Sequence, residues 1–151
     1  MNRNDRGFSL IELLVIIVIA LSLLAWGYPN LVRLANKYRL DGAAWSLATD
    51  LQKVRLRAIA EGKEFKVVFD TGAKTYQVQK ADGLGGWVNE GSSKMIEDAR
   101  LLTVSIETGG APVFTTRGIV QTGSQSTVKL DAPTGGTRRI FVQLQGRINV
   151  S

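Results

Sequence analysis

The sequence contains neither cysteine nor histidine. That excludes disulfide frameworks, thiol nucleophiles, imidazole bases and almost every zinc site, because each needs sulfur or imidazole. It does not fix the compartment, since an exported domain can do without disulfides. There is no internal repeat and no low-complexity tail. The net charge of +6 over 151 residues favours acidic partners such as nucleic acid or anionic lipid, but only weakly. Length allows one domain plus an appendage. The 44% hydrophobic content is ordinary, yet it is spread unevenly.

The unevenness is the run RGFSLIELLVIIVIALSLLAWGYP, in which Glu12 is the only charge between Phe8 and Tyr28. As a helix this stretch would span roughly 31 Å, close to the hydrocarbon thickness of a bilayer. It is longer than the apolar core of a secretory signal, and Trp26 and Tyr28 stand where small residues would mark a cleavage site. The two aromatics suit a membrane interface, and Gly27–Pro29 suits a bend where the helix leaves the lipid. Lysine and arginine counts alone would put the N-terminus outside: Arg3 and Arg6 precede the Phe8–Tyr28 span, and Arg33, Lys37 and Arg39 follow it. Glu12 is the anomaly. A carboxylate at the centre of a span costs on the order of 3 kcal/mol, less one turn from its end. It is either a snorkelling surface charge or a group awaiting a cation inside an assembly of helices.

Beyond Pro29 the pattern becomes amphipathic. Leu40, Ala44, Leu47, Leu51, Val54 and Ala58 recur at steps of four and three, which predicts one buried helix stripe. Asp50, Lys53, Arg57 and Glu61 fall on another face, with Asp50–Lys53 and Arg57–Glu61 spaced to interact. Gly62 is a natural stop. The helix is expected from Phe8 to about Glu61, with weak points at Gly27 and Gly42. After Gly62 the period falls to two, and Gly-, Pro- and Ser-rich turns separate short runs at 65–70, 75–80, 101–106, 112–115, 118–121, 126–131, 138–145 and 147–151. GLGGWVNEGSS reads as a turn. The expected fold is α+β: a long N-terminal helix, first transmembrane and then amphipathic, packed against a C-terminal antiparallel β domain of about seven short strands. In the last hairpin, Ile140, Val142 and Leu144 share a face with Ile148 and Val150 across a three-residue loop Gln145–Gly146–Arg147. That loop would leave Arg147 at the tip, in solvent.

Catalytic groups are hard to find. Ser126 and Lys129 match S-x-x-K, but in an alternating strand an odd separation sends them to opposite faces. Gly83, Gly85 and Gly86 fit no nucleotide fingerprint, and Gly62–Lys63 is followed by Glu64 where a P-loop needs serine or threonine. Glu97–Asp98 lacks the alternating oxygen ligands of a calcium loop. No enzyme activity, cofactor or metal is expected.

GFSLIELLVIIVIA resembles the prepilin signature of type IV pilins and type II secretion pseudopilins. In that pattern a short basic leader ends in glycine, phenylalanine follows, and glutamate is the fifth residue of the mature chain. The resemblance implies a leader at residues 1–7, a transmembrane and assembly helix at 8–28, its amphipathic continuation at 29–62 and an exported β domain at 63–151. It further implies that a prepilin peptidase cuts after Gly7 on the cytoplasmic side and that Phe8 is N-methylated. Glu12 would then pair with the Phe8 amine of a neighbouring subunit. The implied topology, N-terminus inside and domain outside the bacterial inner membrane, overrides the charge count.

The C-terminal half, VFTTRGIVQTGSQSTVKL followed by RRIFVQLQGRINV, is similar to the GspH/FimT class of minor pilins and pseudopilins. That class pairs an F-x-x-x-G strand with a final glycine–arginine hairpin, matched here by Phe114–Gly118 and Gly146–Arg147. The resemblance implies a structural subunit that primes or caps a type IV pilus or a type II secretion pseudopilus, with other pilins, the peptidase and the inner membrane as partners. Some FimT-like members bind DNA through G-R-x-R. Here Gly146–Arg147–Ile148–Asn149 lacks the second arginine, although Arg138 and Arg139 could compensate. The alternatives are therefore a DNA receptor using Arg138, Arg139 and Arg147, or an ordinary charged rim.

Overall fold

The structure is a computed structural model, and it describes residues 9–98, 102–133 and 135–151. Gly7 and Phe8 lie outside the described residues. A single helix, α1, runs Leu10–Glu61, and the chain divides into two compact units at Ala35/Asn36.

In the first unit the helix is founded on Ser9, whose carbonyl accepts bonds from the Glu12 and Leu13 amides at 3.0 and 3.1 Å. Ser9 and Glu12 have the S-x-x-E spacing of a capping box, and an acid in the first turn also complements the helix dipole. The helix passes Gly27 and Pro29 without a break in its assignment, although proline cannot donate the usual bond to the Ala25 carbonyl. None of the described residues before Leu40 is buried.

In the second unit the predicted stripe is the buried face: Leu40, Ala44, Leu47, Leu51, Val54 and Ala58, together with Ala43 and Ala48. Asp50–Lys53 and Arg57–Glu61 form the expected pairs at 3.2 and 2.8 Å. Gly62 ends the helix at φ 59°, a left-handed conformation in which a Cβ would be strained.

Nine strands follow among the described residues: β1 Phe65–Asp70, β2 Thr75–Ala81, β3 Trp87–Asn89, β4 Lys94–Met95, β5 Thr103–Gly109, β6 Val113–Phe114, β7 Ser126–Asp131, β8 Thr137–Val142 and β9 Ile148–Val150. All pairings are antiparallel, in two sheets. The first has the order β3-β2-β1-β6, with β4 also on β2; the second has β5-β7-β8-β9. Phe65, Val67 and Phe114 from the first sheet and Val128, Leu130, Ile140 and Val142 from the second join the helix stripe in one core.

Three details differ from expectation. β3 and β4 arise within and just after GLGGWVNEGSS, which had read as a turn; both are short strands on β2. GIVQ forms no strand: Val120 makes an isolated bridge to Phe114, and the Thr115 and Ile119 backbones close a tight turn between them. In the last hairpin Val142 pairs with Ile148, and Gln143 N–H donates to the Arg147 carbonyl, so the loop is Leu144–Gln145–Gly146. Leu144 therefore leaves the strand and is 41% exposed.

Candidate assembly helix and arginine surface

From Leu10 to Leu24 the side chains are almost all aliphatic and exposed, with Glu12 the one charge. Glu12 is itself exposed and has no ion pair among the described residues. Glycine and tyrosine further along, with Leu21, Leu24 and Leu31, line an open apolar groove at Gly27 and Tyr28. A chain cannot keep so much apolar surface in water without large cost, about 25 cal/mol per Å². Lipid or other helices must cover it. In either setting an isolated carboxylate calls for a cation, because an unpaired charge in an apolar medium is costly.

The three candidate arginines do not form one free basic patch. Arg138 Nε lies 2.7 Å from Asp41 Oδ1, an ion pair without hydrogen-bond alignment. Arg139 donates twice to Glu107, from Nε at 2.8 Å and Nη2 at 3.1 Å. Glu107 is at the β5 bulge, where the register slips between Ile106 and Thr108, and a bulge re-aims a side chain in this way. The Arg139 guanidinium holds the Glu107 carboxyl below the usual carboxylate range. Arg147 is exposed and has no ion pair among the described residues; Arg117 is likewise exposed.

The glycines of the C-terminal resemblance have a clear structural role. Gly118 and Gly146 both adopt left-handed φ, 73° and 74°. A Cβ on Gly146 would fall 1.9 Å from the Gly118 carbonyl oxygen, and one on Gly118 would fall 2.5 Å from Ile59 Cδ1. Arg55 Nε donates to the same Gly118 carbonyl at 2.8 Å. The F-x-x-x-G turn and the last hairpin therefore meet backbone to backbone, and the helix reaches the same carbonyl through the Arg55 side chain. Sequence reasoning missed Arg55, because nothing local marks a helix arginine as the partner of a distant carbonyl.

Two further clusters tie the helix to the first sheet. Asp50, only 13% exposed, accepts from Tyr76 Oη at 2.6 Å and from Lys94 and Lys53. Burial pushes its carboxyl up, but the three donors outweigh burial and leave it below its ordinary value. Burial and the Asp50 bond push the Tyr76 hydroxyl strongly upward, so it remains protonated. Arg57 bridges Glu61 and Glu90, each at 2.8 Å, and caps the Phe65 ring at 4.9 Å. Its hydrogen bonds hold both carboxyls low. Both clusters pair every charge with an opposite one; Asp50, Lys53, Arg57, Tyr76 and Lys94 line an open cleft of about 260 Å³ between them, and their charged groups are already engaged with one another. Ser126 is buried and Lys129 turns outward to Asp131 at 3.0 Å, so the S-x-x-K spacing assembles nothing.

A long helix with a bare apolar first half and a second half embedded in antiparallel sheets is the type IV pilin-like α+β fold. Residues 2–28 match the family model of the prokaryotic N-terminal methylation motif. No curated protein sequence matches the chain. Among solved structures the chain is similar to the minor pseudopilin EpsH from the type 2 secretion system of Vibrio cholerae. The identity is 16% and the TM-score 0.62, covering 75% of this chain and 96% of that one. It is also similar to the type IV minor pilin FimU of Pseudomonas aeruginosa, at 20% identity and a TM-score of 0.62, covering 76% of this chain and 90% of that one.

Proposed function

We propose that this chain is a minor pilin or pseudopilin: a structural subunit, not an enzyme, that primes or caps assembly of a type IV pilus or a type II secretion pseudopilus. The observation that carries the reading is the wholly unburied apolar helix with one carboxylate, Glu12, in its first turn. The methylation motif over residues 2–28 and the fold shared with EpsH and FimU support it. In this reading a prepilin peptidase removes residues 1–7, Phe8 becomes the methylated N-terminus, and Glu12 meets the Phe8 amine of a neighbour. The chain waits in the inner membrane with its β domain outside, then joins other pilins through the helix.

The ion pairs Arg138–Asp41 and Arg139–Glu107 weigh against the DNA-receptor alternative, because phosphate contacts would have to displace them. The test is deletion of the gene, with surface pili counted by electron microscopy and exoprotein secretion assayed alongside. Loss of either function, restored by the wild-type gene, is expected. Both functions unchanged would overturn the reading.

A further inference from the structure

One edge of strand β2 is paired by two different strands, β3 at Gln79–Ala81 and β4 at Thr75–Tyr76. Between them the chain spends four residues, Glu90–Ser93, opposite only two, Gln77 and Val78. The surplus bows outward, as extra residues in a ladder do. Gly91, at a left-handed φ of 74°, allows the bow. Two bonds pin it: Glu90 N–H donates to the Val78 carbonyl at 2.8 Å, and Gln77 Nε2 donates to the Gly91 carbonyl at 3.2 Å. Ser92 on the bow and Lys53, Val54 and Arg57 on α1 line the same open cleft of about 260 Å³.

Size and charge together select an occupant for this cleft. Its apolar lining is Val54, Val78 and Tyr76. It is smaller than the roughly 300–1,000 Å³ of small-molecule sites, so it suits one or two side chains of a peptide. Its charge is unbalanced. Lys53 and Lys94 share the single carboxylate of Asp50, while Arg57 and Lys80 share Glu61 and Glu90. Four cations thus stand against three carboxylates, an excess of one positive charge. Glu97 lines a separate, smaller crevice. The two lysines are accessible, with side chains 67% exposed at Lys53 and 58% at Lys94. An ammonium has three donors, and Asp50 takes one from each lysine.

We infer that this cleft binds a peptide segment of a partner protein in which an aliphatic side chain stands next to an aspartate or glutamate. The aliphatic group rests on Val54 and Val78, and the carboxylate takes spare donors of Lys53 and Lys94. A neutral segment leaves the excess charge unanswered, and a basic one meets repulsion.

The test illuminates the full chain in detergent micelles with short capped peptides that carry a diazirine analogue of leucine followed by aspartate, asparagine or lysine. Adducts are mapped by mass spectrometry. The aspartate probe should label Val54, Val78 or Ser92 in about two- to fivefold higher yield than the asparagine probe, the range of an exposed ion pair. The lysine probe should label them least. In about 1 M salt, where charges act within roughly 3 Å, the preference should vanish. Lys53→Gln combined with Lys94→Gln should erase it too, with an unchanged circular dichroism spectrum. Equal cleft labelling by the aspartate and asparagine probes would overturn the inference. So would a preference indifferent to salt, one indifferent to the paired substitution in a folded chain, or adducts confined to the exposed aliphatic stretch Leu10–Leu24. Stronger cleft labelling by a capped leucine analogue with a free C-terminal carboxylate would overturn it in favour of a chain end.

Discussion

Between Leu10 and Ala35 the aliphatic side chains stand open, whereas between Asn36 and Ser151 Leu40, Phe65, Phe114, Leu130 and Ile140 are shut away from solvent. The two regions differ in composition, with leucine, isoleucine or valine at 15 of 26 positions in the first and 26 of 116 in the second. They differ also in pattern. The first region is apolar on every side, so no folding of its own could cover it; the second confines its apolar residues to stripes and alternate strand positions that cover one another. The first is therefore finished by a medium or by partners, and the second by itself. Substitutions should fail in correspondingly different ways.

The largest effect is expected at Glu12. Glu12→Val should leave the β domain folded and the chain in the membrane, yet reduce its recovery in sheared filaments or purified tip complexes by more than about tenfold, because an unmatched amine would remain in an apolar bundle. Normal incorporation would sink the charge-pairing account. Phe114→Ala, by contrast, attacks the self-sufficient region. Truncating this fully buried ring should cost about 3–5 kcal/mol in denaturant unfolding of the segment from Asn36 onward, a large part of a small domain's stability.

Gly146→Ala should cost about 3 kcal/mol, from a strained φ and a methyl driven into the Gly118 carbonyl. Gly123→Ala, with a similar φ of 85° but open space around it, should cost only about 1 kcal/mol. Equal losses would show that the close contact is immaterial. Smallest is Tyr76→Phe, at about 1–2 kcal/mol near neutral pH. The folded Asp50 carboxyl lies below its unfolded value near 3.8, so its stabilisation is present above that pH and is lost as pH falls through the folded value. Removing the Tyr76 donor should shrink this acid-side loss, measurable as a flatter stability profile below about pH 4.

Much of the architecture was legible because helix burial has a strong period. Ala43 and Ala48 escaped the predicted stripe because each sits one position off its four-and-three spacing, beside Ala44 and Leu47, where the buried face is wider than a single row. β3 and β4 escaped because two or three residues among glycines carry no alternation. The last hairpin is more instructive. Pairing Val142 with Ile148, as observed, or with Val150, as the three-residue loop Gln145–Gly146–Arg147 implies, keeps the same side chains inward, so a period of two is blind to the choice. What fixes it is the left-handed Gly146 against Gly118, a tertiary contact. The arginines show the same limit. Arg138, Arg139 and Arg147 look alike in sequence, and only Asp41 and Glu107, distant along the chain, tell the first two from the third.

The meeting of Gly118 and Gly146 also bears on how such a chain can change over generations. The two glycines are constrained differently: a side chain at 146 strikes the backbone at 118, whereas a side chain at 118 strikes the Ile59 side chain. No change at 118 can relieve the first conflict, since glycine has no side chain to give up, and relief of the second would still leave position 118 at a left-handed φ of 73°. Drift elsewhere on the β surface is free, so two small residues far apart in the chain would outlast the larger ones around them as the mark of common descent.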